Sequence, residues 1–143
     1  SPAGTYYVRV FQFSGDTNYN LRLSTADPSN ILAPQENLGP LVGSVNRSDF
    51  VGSNDTSDFY RFSVFGSRQL TAVVNGLSAD ADLRLIRDIN LDGIVQAGEI
   101  VASSAFGGSS PEFINRVLGT GDYYLQVYQF SGDTNYNLGV TLI

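Results

Sequence analysis

The chain has 143 residues, a formal net charge of −6, and neither cysteine nor histidine. Those absences remove disulfide frameworks, thiolate or imidazole metal sites, and catalysis by Ser-His-Asp or Cys-His groups. Eight scattered basic residues against fourteen acidic ones argue against nucleic acid or an anionic membrane as partner, no apolar run reaches the length of a membrane span, and the length suits one domain with a single core.

In chain order, the first feature is a repeat. Residues 4–23 match residues 121–140 at a constant offset of 117, and Phe-Ser-Gly-Asp-Thr-Asn-Tyr-Asn-Leu is identical in both copies. A period of this length is a domain-sized unit, so residues 1–24 read as the tail of a preceding unit. Each copy reads as a β-hairpin, with Ser-Gly-Asp-Thr-Asn as its loop. In the second copy Tyr123, Leu125 and Val127 share one face, and Tyr136, Leu138, Val140 and Leu142 supply the matching face. The first copy is expected to form the same hairpin against a sheet edge, within the chain or between chains. Residues 25–37, rich in Pro, Asn, Ser and Ala without either period, read as a linker, leaving 38–143 as one domain.

Strands are expected at 39–45, 58–64, 69–75, 81–87, 99–103, 112–117, 122–129 and 135–143. Short strands with Gly-rich turns and almost no helical pattern indicate an all-β chain folded as an antiparallel jelly-roll β-sandwich. Its core should include Tyr60, Phe62, Val64, Leu70, Ala72, Val74, Leu83 and Leu85.

Between the fourth and fifth of these strands, residues 88–99 fit the calcium-loop pattern D-x-[DN]-x-[DN]-G-x5-E at every constrained position. Asp88, Asn90 and Asp92 offer side-chain oxygens, Gly93 permits the reversal that turns the Ile94 carbonyl inward, Gln96 ligates directly or through water, and Glu99 can close the shell with both oxygens. Turn chemistry alone explains the Asp, Asn and Gly but not the distant Glu. The flanking residues alternate as strands do, so the loop is expected as a strand–calcium loop–strand insertion with Ca2+ as its ligand, and not as an EF-hand between helices.

Four segments then carry a family resemblance: Gly43-Ser44-Val45, Asp55-Thr56-Ser57-Asp58-Phe59-Tyr60-Arg61-Phe62, Leu77-Ser78-Ala79-Asp80-Ala81-Asp82-Leu83-Arg84-Leu85 and Gly121-Asp122-Tyr123-Tyr124-Leu125-Gln126-Val127. In order and spacing they resemble the bacterial pre-peptidase C-terminal (PPC) domain. The family includes the collagen-binding domains of clostridial collagenases, and the resemblance implies a non-catalytic accessory or adhesion module of an exported protein, extracellular or at the cell surface. Asp55 and Asp58 resemble acidic positions that bind calcium in the collagen-binding branch, a candidate second site, although hydrogen bonding to loop backbone is the preferred reading of both. Asp80 and Asp82 share one strand face, in a turn-and-edge role.

Tyr124, Tyr128 and Phe130 fall on the parity opposite the core and form a candidate partner-binding row for extracellular protein, polysaccharide or a neighbouring repeat, with cross-strand pairing or cover by the linker as the alternative. No catalytic residue is assigned. The competing functional classes are a carboxylate-based glycosidase and a pure calcium-stabilised spacer.

Overall fold

The computed structural model describes residues 4–21 and 31–143. Among the described residues, nine strands form two facing sheets: β1 (Glu36–Pro40), β2 (Gly43–Val51), β3 (Ser57–Val64), β4 (Arg68–Asn75), β5 (Asp80–Ile86), β6 (Ile100–Ser104), β7 (Glu112–Leu118), β8 (Gly121–Ser131) and β9 (Thr134–Leu142). One sheet has the order β1-β3-β8-β5-β6 and the other β2-β9-β4-β7. All pairings are antiparallel except β1 with β3, which is parallel. This is the all-β sandwich that the strand pattern predicts.

Alternation along the strands explains the packing. Alternate residues of β3, β4, β5, β8 and β9 point between the sheets and are apolar through the middle of each strand, where Tyr60, Phe62, Val64, Leu70, Ala72, Val74, Leu83 and Leu85 join one continuous core with Leu125, Leu138 and Val140. All eight expected core residues are fully buried. A second, smaller cluster lies outside the first sheet: Leu32, Phe59, Ile86 and Val95, with Ile100 and Tyr124 against them.

Three expectations are corrected. The stretch 39–45 is not one strand: β1 and β2 lie in different sheets, with Leu41 and Val42 between them. The segment read as a linker up to residue 37 is, from residue 31, part of the folded unit: Leu32 is buried, its N–H donates to the Gly93 carbonyl at 2.9 Å, and β1 begins at Glu36. The third correction concerns the repeated motif, which is no β-hairpin. β8 pairs with β3 and β5, whereas β9 pairs with β2 and β4. Its two apolar faces meet across the core from opposite sheets, so the motif is an arch that supplies an interior strand to each. Alternation reveals which side of a strand is buried but not which strand lies beside it.

The same topology accounts for the first copy. Residues 4–21 carry no strand, and Tyr6, Val8, Val10, Tyr19 and Leu21 are each about half exposed or more. An arch needs partner strands on both flanks of each arm, and in this chain those places are taken by residues 121–142.

Candidate metal centre

The loop of residues 88–99 leaves the end of β5 and returns through a single 3-10 turn (Ala97–Glu99) directly into β6, so no helix flanks it. Its base is closed by Arg87 N–H donating to the Glu99 carbonyl at 2.9 Å. Two residues in the left-handed region coil it, Gly93 at φ 71° and Leu91 at φ 58°. Val95 turns inward and anchors the loop in the smaller apolar cluster, and Ile94 bridges to Ile31.

The oxygens of the pattern are gathered around loop amides. Asp88 Oδ2 accepts from Gly93 N at 2.9 Å, Asp92 Oδ1 from Ile94 N at 2.9 Å, and Asn90 Oδ1 from Asp92 N at 3.3 Å. Asp92 Oδ2 accepts from the amides of Asn90 at 3.0 Å and Gln96 at 2.6 Å. Glu99, almost fully buried, accepts from Ile89 N at 2.9 Å and Gln96 N at 3.1 Å. One atom is left over: Asp88 Oδ1 is buried with no hydrogen-bond partner.

An orphaned buried carboxylate oxygen is costly unless something positive meets it. The donor set, three carboxylates with two side-chain amides and a carbonyl, consists of the hard oxygens that calcium prefers. Among the described residues, however, no three acidic groups converge into a ready-made cage. For the residues to close on an ion, Asp92 Oδ2 must release the Asn90 and Gln96 amides.

The second candidate site is differently used. Asp55 sits exposed in a tight turn with Gly52, whereas Asp58 is buried at 2% exposure and accepts the Tyr136 hydroxyl at 2.6 Å, with the Tyr60 hydroxyl 2.7 Å behind it. Because the Tyr136 proton goes to Asp58, Tyr60 donates to Tyr136. Burial pushes the Asp58 carboxyl up to about 6, with the charges of Asp49 and Asp55 adding to it against the Tyr136 hydrogen bond. Burial likewise raises the Tyr60 hydroxyl to about 12. Asp58 therefore serves a polar network inside the sandwich.

The aromatic row is largely covered. Tyr124 packs against the cluster that holds Leu32, Tyr128 lies 4.3 Å under the Arg84 guanidinium, and Phe130 alone of the three is exposed. Asp80 Oδ2 accepts from Gly108 N at 2.9 Å, and Asp82 is buried against the Tyr128 hydroxyl, its carboxyl raised by that burial. Sequence reasoning missed Glu112. Fully buried at the start of β7, it accepts from the Ser104 hydroxyl and from Phe106 N at 2.9 Å, and burial raises its carboxyl. Its place at the head of an alternating strand, on the core parity of Ile114, was the available signal.

The fold and its sequence have relatives. The family model described as the bacterial pre-peptidase C-terminal domain matches residues 56–129. Comparison with curated proteins returned no match. Among solved structures, the pre-peptidase C-terminal domain of a collagenase from Bacillus anthracis superposes with a TM-score of 0.59 at 20% identity, over 76% of this chain and 97% of that one. A periplasmic inhibitor of g-type lysozyme from Aeromonas hydrophila gives 0.52 at 16% identity, over 78% of this chain and all of the other. At such identities the structural likeness speaks for the shared sandwich only. With the family model covering more than half of its length, the chain belongs to the bacterial pre-peptidase C-terminal domain family.

Proposed function

We propose that this protein is a calcium-binding, non-catalytic accessory module, one unit of a tandem array in an exported bacterial protein, serving adhesion to extracellular protein or polysaccharide. The observation that carries the calcium reading is the buried, unpartnered Asp88 Oδ1 within a loop whose constrained positions all bear the expected oxygen donors. Family membership supports the accessory role, since the collagenase relative is itself a domain attached to a larger enzyme. The internal repeat supports the array.

Asp88, Asn90, Asp92, the Ile94 carbonyl, Gln96 and Glu99 would hold the ion. It would compensate the Asp88 carboxylate and tie the loop across the ends of β5 and β6. Metal bound only by the folded loop stabilises by mass action, about 2.7 kcal/mol at a hundredfold excess over the dissociation constant. Thermal unfolding of the full chain in calcium and in chelator tests this. The melting temperature should rise with calcium, and Asp88→Ala or Glu99→Ala should abolish most of the rise. Equal melting temperatures in both conditions would reduce the loop to a turn.

A further inference from the structure

The two copies of the arch can be compared position by position, one seated in a sandwich and one not. Fourteen of twenty positions are identical between residues 4–23 and 121–140. The turn is formed in both. Gln12 Nε2 donates to the Gly15 carbonyl at 2.7 Å, as Gln129 Nε2 does to Gly132 at 2.7 Å, and Thr17 repeats the bond that Thr134 makes to the next carbonyl. Gly15 and Gly132 both adopt positive φ, 68° and 74°. The arch is thus locally encoded at its bend, and what the first copy lacks is a pair of sheets.

The differences are not random. Val8 for Leu125 and Leu23 for Val140 exchange one aliphatic side chain for another, and Arg22 replaces Gly139, on the outward parity of β9. The other three fall on β8 positions where the seated copy makes a polar contact with its own sandwich. Asp122, replaced by Thr5, accepts from Arg61 at 3.1 Å and from the Ser63 hydroxyl at 2.5 Å. Gln126, replaced by Arg9, is fully buried, donates to Ser57 Oγ at 2.6 Å and stands between Phe59 and Arg84 in the sheet. Tyr128, replaced by Phe11, is paired across the sheet with the buried Asp82 and lays its ring against Arg84. A guanidinium at the Gln126 position would be buried beside Arg84, and a Phe at the Tyr128 position would set a ring with no hydroxyl beside the buried Asp82.

We propose that residues 4–23 are the closing arch of a second sandwich of this family, and that Thr5, Arg9 and Phe11 address it to that sandwich and keep it out of the one formed by residues 31–143. This rests on the tandem-unit reading above and is independent of calcium. The partner sandwich is defined by the chemistry that these side chains require: a carboxylate facing position 9 where this unit has Ser57 and Arg84, no guanidinium awaiting position 5, and an apolar group where this unit has Asp82. Such addressing keeps near-identical neighbouring units from exchanging arches.

The test exchanges the addresses within the full chain: Thr5→Asp, Arg9→Gln and Phe11→Tyr together with Asp122→Thr, Gln126→Arg and Tyr128→Phe, followed by refolding and amide exchange read by mass. In the native protein residues 123–128 should be protected while 6–11 exchange freely. In the exchanged variant protection should move to 6–11, with exchange rates there slowed on the order of a hundredfold. A companion variant with the three N-terminal substitutions alone retains the resident arch, so it folds in any case, and its protection should divide between the two segments. If protection stays at 123–128 in both variants, the three positions carry no address. If 6–11 gain no protection even in the companion, the segment cannot close a sandwich at all. Either result overturns the proposal, and neither touches the calcium melting test.

Discussion

Asp58 offers the sharpest test of how the interior is built. Its carboxyl rises from an ordinary value of 3.8 to about 6 because it is buried, and its bond from Tyr136 offsets only part of that. An acid whose folded pKa is raised binds its proton more tightly in the folded than in the unfolded state. Its ionisation therefore opposes folding, with a penalty that is absent below about pH 4, grows between pH 4 and 6, and is fully present above 6. Two pKa units at 1.36 kcal/mol each set an upper bound of about 3 kcal/mol.

Asp58→Asn keeps an oxygen to accept the Tyr136 hydroxyl and removes the charge, at the loss of a charge-assisted hydrogen bond. The variant should consequently be more stable than the native chain by about 1–2 kcal/mol at pH 8, some 4–8 °C in melting temperature, and no more stable at pH 4. Thermal unfolding across that range in chelator provides the measurement. A stability difference between variant and native protein that is the same at both pH values would show that the Asp58 carboxyl titrates alike in the folded and unfolded states, and a variant relatively less stable at pH 8 than at pH 4 would show that the folded state favours the charge; either would refute burial as the dominant influence.

Further outcomes follow from the same contacts. Tyr136→Phe leaves Asp58 and Tyr60 without their shared partner and should cost about 1–3 kcal/mol, measurable by denaturant titration. Glu112→Ala strands the Ser104 hydroxyl and the Phe106 amide and should cost about 2–3 kcal/mol, whereas Glu112→Gln should recover most of the loss. Leu91→Gly relieves a left-handed residue that is largely exposed and should stabilise the chain by roughly 1 kcal/mol in chelator; destabilisation would mean that the Leu91 side chain has a partner. Leu32→Ala should cost about 2–4 kcal/mol, a value that a free linker at this position would not produce.

Period-two alternation in Tyr60-Arg61-Phe62-Ser63-Val64 and its counterparts determined, without any structure, that the chain is a sandwich and which residues fill it, because burial of one strand face is a local property of sequence. The oxygen-rich loop of residues 88–99 stands out in the sequence for a similar reason: its side chains lie within twelve consecutive residues. The tertiary structure alone decided pairing. That β8 and β9 enter opposite sheets depends on β2, β3, β4 and β5 flanking them, which no alternation within residues 121–142 records. The burial of Gln126, the Asp58–Tyr136–Tyr60 chain and the packing of Tyr124 against the cluster that holds Leu32 are likewise contacts between segments far apart in sequence. Such contacts exist only once the two sheets have closed, and for that reason residues 4–21, carrying nearly the same sequence as 121–138 without sheets to enter, form the turn and not the strands.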